Sequence, residues 1–483
     1  MGLTAGTTTT TTAATTTVAV VSALADGLPP QALLTSADLL EAYRYDRAMF
    51  CPAGVPAAVV LARETAHVQH ALRVASSLRV PVVPQGARSG LSGAANAIEG
   101  CIVVSTEKMT KILHIDVANR YVVTQPGIFN ADLSRAVGEH GLFYPPDPSS
   151  REFCSIGGNL ATNSGGLCCV KYGVTSDYVL GLEVVLASGE VLRTGRRTVK
   201  GVAGFDLTKL FVGSEGSLGV ITEATLALRP AARRPRTAAA MFPTARAAAR
   251  AVAAVVRGGH VPSLLEIMDG TSIRAANAYL RSDLPEDCEA MLIWQSDAGG
   301  EVARAEVSAI GAVCADEGGL VVEADDPAEG EILLAARRSV LVAFDALGTT
   351  LIDDVCVPRS RLAELIDGVG QIARRNELVI GVVGHAGDGN MHPTVVFDAA
   401  DPDAAQRAQV AFGDVMGLGL ELGGTITGEH GVGVLKKEWF AREAGPVSLS
   451  AHRAVKGALD PLGLLNPGKV FDAADVREEI GGR

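Results

Sequence analysis

The chain has 483 residues, 48% hydrophobic and 20% charged, with a formal net charge of −12. That length exceeds one ordinary core and implies two or three domains, while the acidic balance, without any long basic stretch, excludes a nucleic-acid surface. No apolar run nears the roughly 18 residues needed to cross a bilayer, and eight scattered cysteines without a Cys-x-x-Cys pair argue against a thiolate-held zinc or iron–sulfur centre.

The first seventeen residues are mostly Thr, Ala and Gly and lack the basic segment of a secretory or transit peptide. Residues 1–34 are therefore expected to form a disordered or loosely ordered tail on a cytoplasmic protein with reduced thiols. The vicinal pair Cys168-Cys169 is read as packing. Apolar spacing predicts a helix from Ser36, with Leu39, Leu40 and Tyr43 on one face, then a strand at 57–62, a helix at 64–78 and a short strand at 81–84. Strands follow at 101–105, 121–125, 180–187, 190–194 and 218–228, with helices at 130–140 and 206–211. Residues 35–231 thus read as one α+β domain rich in glycine turns, closed by a polar, proline-containing break at 231–237.

From 238 onward, strands at 238–242, 264–268, 290–295 and 320–323 alternate with helices at 244–257, 271–279 and 301–317. That rhythm fits a ferredoxin-like antiparallel sheet backed by helices, in a substrate or cap domain drawn at 238–422. The chain turns helical again at 404–422 and 448–459. In the last segment, 423–483, the turn Leu464-Leu465-Asn466-Pro467-Gly468-Lys469 is placed to return the C-terminus to the first domain.

Two clusters stand out, Gly384-His385-Ala386-Gly387-Asp388-Gly389-Asn390-Met391-His392 and Gly428-Glu429-His430-Gly431, which hold three of only nine histidines. His385, His392 and Glu429 offer two imidazoles and a carboxylate, a set suited to a divalent zinc, manganese or iron ion with open positions for substrate. His430 is left over as a base beside them. Either cluster alone reads equally well as a glycine-rich turn; the two together, in one chain with the loops below, favour a site.

Pro84-Gln85-Gly86-Ala87-Arg88-Ser89-Gly90-Leu91-Ser92-Gly93 follows a strand and can turn several backbone N–H groups toward one anion, although its spacing is not the Rossmann one. Residues 154–166 form a second stretch of small, hydrogen-bonding side chains, and residues 213–222 a third leading into a strand. Something long and polar is expected between them.

In this order the three loops resemble the FAD-binding domain of the vanillyl-alcohol oxidase and p-cresol methylhydroxylase superfamily, and the remainder resembles the FAD-linked oxidase C-terminal domain. Within it the chain is similar to the FAD-dependent D-2-hydroxyacid dehydrogenases, which include D-lactate dehydrogenase, D-2-hydroxyglutarate dehydrogenase and the D subunit of glycolate oxidase. The wording from Gly384 to Pro393 is nearest the last. The resemblance implies an α+β fold with a two-part FAD-binding domain, an antiparallel-sheet substrate domain and a C-terminal helical return. It places Gln85, Gly86, Ala87, Arg88, Ser89, Gly90 and Ser92 at the FAD pyrophosphate, with Pro84 also at the cofactor. Pro146, Gly157, Gly158, Ala161, Asn163, Gly166 and Ile221 would line the rest of the cofactor, with Asn466 returning to the flavin. With no histidine between Pro84 and Gly93, noncovalent FAD is expected.

The implied chemistry is oxidation of a small D-2-hydroxy acid, D-lactate or glycolate, to the 2-oxo acid. A divalent metal at His385, His392 and Glu429 would bind substrate, His430 would take the hydroxyl proton, and Arg337, with Arg338 its neighbour in register, would pair with the substrate carboxylate; Asn390 belongs to the same catalytic set. Electrons would pass to a quinone, a cytochrome, an iron–sulfur partner subunit or oxygen, and peripheral membrane association stays open. D-2-hydroxyglutarate oxidation, ether-lipid-synthase-like flavin chemistry and a subunit role in a larger complex are the alternatives. Apolar Ile352, near the position where D-2-hydroxyglutarate enzymes carry a lysine, favours small monocarboxylates.

Overall fold

The computed structural model describes residues 7–281, 284, 285, 287–324 and 326–472, with side chains from residue 15 onward. Strands Ala58–Leu61, Ile102–Ser105 and Val82–Gln85 are short and mostly buried on both faces, as parallel strands covered by helices must be. They pair in parallel with Val103 between Val59 and Val83, and Leu33–Leu34 adds an antiparallel edge. Helix Thr65–Leu78 covers this sheet through Val68, Ala71, Leu72 and Ala75. The expected tail is corrected here: Thr7–Ala25 is a helix, and Val20 and Leu24 are fully buried in the same core as Val68 and Leu72. Its threonine-rich composition hides a stability that comes from packing rather than propensity. Residues 1–6 of that expected tail lie outside the described residues.

A second sheet of five antiparallel strands runs in the order Ile112–Asp116, Tyr121–Thr124, Val220–Ala227, Val179–Val185 and Val191–Gly195. Against it lies helix Ile156–Thr162, in a stretch expected as an irregular loop. Ser155 caps it by accepting from Gly158 N at 3.2 Å, Ile156 and Leu160 bury their side chains, and Asn163 ends it in the left-handed region at φ 55°.

The third sheet has eight strands, all antiparallel. Its first half runs Leu320–Glu323, Arg236–Phe242, Ala290–Ser296, Leu264–Asp269, the 4-1-3-2 order of a ferredoxin-like unit. Strands Val379–His385, Asn390–Phe397 and Thr349–Ile352 extend it, with Val355–Cys356 paired to Asn390–Phe397. Helices Pro327–Asp345 and Leu362–Arg375, which the periodicity did not resolve, pack on this extension. Among the described residues no helix is long and apolar enough to cross a membrane.

The C-terminal return is tied down by polar hooks. Val82 N donates to Leu464 O at 2.8 Å and Asn466 N to Val82 O at 2.7 Å. Buried Lys456 reaches Ser217 O, Leu465 O and the Asp460 carboxylate, and Lys469 reaches Gly93 O and Asn96 O. Glu215, in the third glycine loop, accepts from both Val432 N and Gly433 N at 2.8 Å, while Asn466 Nδ2 donates to its carbonyl.

Burial pushes the Glu215 carboxyl from an ordinary 4.5 up to about 7, against the pull of those two N–H groups, Lys469 and Lys436. A carboxyl whose folded pKa exceeds its unfolded one contributes stability that is complete below the unfolded value and is lost as pH rises through the folded one. Glu215→Gln fixes the neutral form. Relative to wild type it should therefore gain roughly 3 kcal/mol in unfolding free energy between pH 4 and pH 8, read from urea midpoints. Parallel stability profiles for the two proteins would contradict this.

Candidate active site

The site starts from a hairpin. Strands Val379–His385 and Asn390–Phe397 pair with His385 opposite Asn390 and Val383 opposite His392, so side-chain alternation puts both histidines on one face. The neighbouring strand pairs Ile267 with Gly384, which brings Glu266 beside His385. The two imidazoles meet edge to face, with centroids 5.2 Å apart, and His430 stacks on His392 at 5.1 Å.

Buried Asp354 delivers the second cluster. Its Oδ2 accepts from Glu429 N at 3.1 Å, His430 N at 2.8 Å and Thr427 Oγ1 at 2.6 Å, while Oδ1 accepts from Asn390 Nδ2 at 2.9 Å. Two glycines permit close approaches that keep these side chains in place. A Cβ at Gly428 would lie 2.3 Å from Asn390 Nδ2, and one at Gly165 would lie 2.8 Å from Glu429 Oε2.

Glu429 Oε1 is thereby faced by three imidazole Nε2 atoms, at 3.4 Å from His392, 3.7 Å from His385 and 3.9 Å from His430. Burial opposes a charge on His385, but Glu266 and Glu429 outweigh it and hold the imidazole well above its ordinary value. Glu429 is held well below the usual carboxylate range by His385 and His392, again against burial. Burial pushes His430 down to about 4, only partly offset by Asp354, so it is neutral at pH 7.

The donor set fits a divalent transition metal. The ligand atoms of His385, His392 and Glu429 lie within 4.8 Å of one another, and His385 Nε2 and Glu429 Oε2 are buried without hydrogen-bond partners. Asp354, His392 and His430 also cluster, but the Asp354 oxygens are already taken by four donors, which makes that set the poorer one.

A cavity of about 710 Å3 opens beside this cluster, within the size range of cofactor sites, roughly 300–1,000 Å3. Of the residues expected along the cofactor, Pro84, Gln85, Gly86, Ala87, Arg88, Ser89, Gly90, Ser92, Gly157, Gly158, Ala161 and Ile221 line it. The backbone comes close enough there to exclude side chains: a Cβ at Gly86 would meet Ser155 Oγ at 2.5 Å and one at Gly157 would meet Pro126 Cβ at 2.7 Å. Gln85 Oε1 is buried without a partner. An elongated, polar cofactor such as FAD fits this cradle.

Four expected cofactor residues do not line the cavity and are engaged elsewhere. Pro146 O accepts from Asn130 Nδ2, Asn163 Oδ1 accepts from Ser176 N, Gly166 packs on Asp147, and Asn466 donates to the Ala94 and Glu215 carbonyls. Arg88 turns its guanidinium over the Tyr43 ring, 4.3 Å from the centroid, and toward Glu107. Asn390 also stays off the cavity wall, its amide spent on Asp354.

Opposite the glycine loops the cavity is walled by Arg337, Ile352, Val383, His392, Glu429 and His430. Arg337 projects from helix Pro327–Asp345, nearly buried, with Nη2 2.9 Å from Glu266 Oε2 and Nε without a partner. Glu266, Asp354 and Lys436, whose ammonium is 3.6 Å from Asp354, were not singled out from the sequence. The available signal was a lone carboxylate inside the apolar run Leu264-Leu265-Glu266-Ile267-Met268 and the paired acids Asp353-Asp354.

A family model described as FAD linked oxidases, C-terminal domain, matches residues 231–470, and one described as FAD binding domain matches residues 56–195. The chain is similar to glycolate oxidase subunit GlcD of Bacillus subtilis (strain 168), at 41% identity over 88% of this chain and 91% of that one. It is also similar to the mitochondrial D-lactate dehydrogenase [cytochrome] of Arabidopsis thaliana, at 35% identity over 86% of this chain and 74% of that one. The solved structure of p-cresol methylhydroxylase with substrate bound shares the fold, with a TM-score of 0.80 at 18% identity, covering 95% of this chain and 98% of that chain. Two FAD-domain matches and near full-length relatives agree with the cradle and its polar cluster: the chain belongs to the FAD-linked D-2-hydroxyacid dehydrogenase family of glycolate oxidase GlcD and the D-lactate dehydrogenases, on the vanillyl-alcohol oxidase and p-cresol methylhydroxylase fold.

Proposed function

We propose that this FAD-linked oxidoreductase converts a small D-2-hydroxy acid, D-lactate or glycolate, to the 2-oxo acid, with noncovalent FAD and a divalent metal at His385, His392 and Glu429. The observation that carries this reading is the convergence of three imidazoles on one Glu429 oxygen at the cavity wall that also presents Arg337. Bound FAD supplies a hydride acceptor, and a zinc, manganese or iron ion supplies a Lewis acid that lowers the pKa of a hydroxyl.

The chain's own residues do the rest. Arg337, ion-paired with Glu266 through Nη2, lines the cavity and offers its guanidinium to the substrate carboxylate, where a planar fork gives orientation as well as charge. His430, neutral at pH 7, takes the hydroxyl proton at Nε2. Asp354 holds the backbone on which both Glu429 and His430 ride, which fixes the distance from base to metal pocket. Ile352, Leu351 and Val383 make the adjoining wall apolar. Two bases on the segments flanking that wall are engaged, Arg338 with Glu331 and Arg359 with Gly387 O. A second substrate carboxylate would lack a partner, which is costly. The relatives named as glycolate oxidase subunits support a partner subunit as one route for electrons to leave, alongside a quinone or cytochrome.

Three outcomes test this. Acid precipitation should release all flavin to the supernatant, because residues 84–93 contain no histidine; colour retained in the washed pellet would show attachment. Mixed anaerobically, D-lactate or glycolate should bleach the flavin band with a higher second-order rate constant than D-2-hydroxyglutarate, and L-lactate should react poorly. A preference for D-2-hydroxyglutarate would overturn the substrate assignment, and silence toward all 2-hydroxy acids would overturn the reaction. His385→Ala should lose the metal and most turnover while keeping FAD, whereas His430→Ala should keep both and slow flavin reduction about 10²-fold or more. An active preparation free of stoichiometric metal would remove the metal from this reading.

A further inference from the structure

Glu266 lies in the middle of strand Leu264–Asp269, where Leu264, Leu265, Ile267 and Met268 are buried and apolar, and it is itself fully buried. An ionised carboxylate in such a place is costly unless it is paired. Its two oxygens face two different functional side chains. Oε1 is 2.7 Å from His385 Nδ1, and Oε2 is 2.9 Å from Arg337 Nη2.

Each contact has a chemical consequence. An imidazole that donates Nδ1–H to a carboxylate keeps that proton and gives up the one at Nε2 when a metal binds, and His385 Nε2 is the buried, unpartnered atom that faces Glu429. Arg337 pairs with the same carboxylate as an ion pair without aligned hydrogen-bond geometry, and its own Nε is buried and unpartnered in a side chain that belongs to the cavity wall. We propose that Glu266 is a positioning residue for both halves of the site: one carboxylate sets the His385 tautomer toward the metal pocket and fixes the Arg337 fork toward the substrate carboxylate.

Glutamine cannot replace it. If its amide oxygen serves His385, its NH2 meets the N–H groups of Arg337. If the amide is turned round, its N–H drives His385 Nδ1 to accept and moves the proton to Nε2. Either orientation breaks one of the two arms.

The inference rests on the metal and substrate assignments above, and the experiment separates their failures. FAD-loaded full-length protein is stripped with a chelator, zinc is titrated in competition with a chromophoric chelator, and KM and kcat for D-lactate are measured at saturating zinc. Glu266→Gln should weaken zinc about 10- to 100-fold, or leave KM raised after zinc is restored, with FAD content unchanged. Because Arg337 is left unpaired in that variant and the fold could suffer, Glu266→Asp and Glu266→Leu form the second comparison. Aspartate keeps the charge and should retain more zinc affinity than leucine, although leucine suits the apolar strand better, an order that a packing role would reverse. Wild-type protein that takes up zinc, beside a Glu266→Gln variant with the same affinity and the same KM, overturns this inference alone. Wild-type protein that takes up no zinc overturns the metal assignment and this inference together.

Discussion

Asp354 is the fixed point of the molecule's chemistry. It is fully buried, and its two oxygens receive an amide from the hairpin strand, a hydroxyl from Thr427 and the backbone N–H groups of Glu429 and His430. Hydrogen bonds to a charged acceptor are worth about 1.5–3 kcal/mol each, enough together to offset the desolvation of one carboxylate with help from nearby Lys436. What that arrangement secures is register: a strand end and a loop far apart in sequence are locked so that a carboxylate and a neutral imidazole face His392.

The second constraint is the seam between the glycine-loop region and the large antiparallel sheet. Its polar hooks are buried and nearly all satisfied by backbone groups, as with Glu215 on Val432 and Gly433 or Lys469 on Gly93 and Asn96. Each hook joins a buried side chain to backbone groups fixed by the opposite segment, so the seam ties chain positions and not only side chains. Gly165 adds a close approach from the loop side, leaving Glu429 room only because no Cβ is present. Cofactor cradle and metal-type cluster are therefore walls of one cavity.

His385, His392, Glu429 and His430 were legible because titratable side chains set among glycines are rare in a chain with only 20% charge. Their partners were not, since Glu266 meets His385 across 119 positions and looks, locally, like an odd residue in a strand. Helix Pro327–Asp345, which presents Arg337, lies beyond the last element that alternation resolved. The helix Ile156–Thr162 was obscured by Gly157 and Gly158, poor helix formers, of which Gly157 is kept because Pro126 leaves no room for a Cβ. At the N-terminus, composition suggested a tail, and only contacts with Val68 and Leu72 reveal why Val20 and Leu24 are buried.

The bridge between Val82 and the C-terminal turn bears on how the protein is made. Strand Val82–Gln85 is an edge of the first sheet, and its outer hydrogen bonds are completed by Leu464 and Asn466, some 380 residues later. At about 5–20 residues per second, that edge emerges from the ribosome and stays open for on the order of tens of seconds. An open strand edge is a template for pairing with other chains. The loop that follows Gln85 gains its last neighbours, Asn466 and Lys469, over the same interval, so the cradle stays incomplete until those residues have been made.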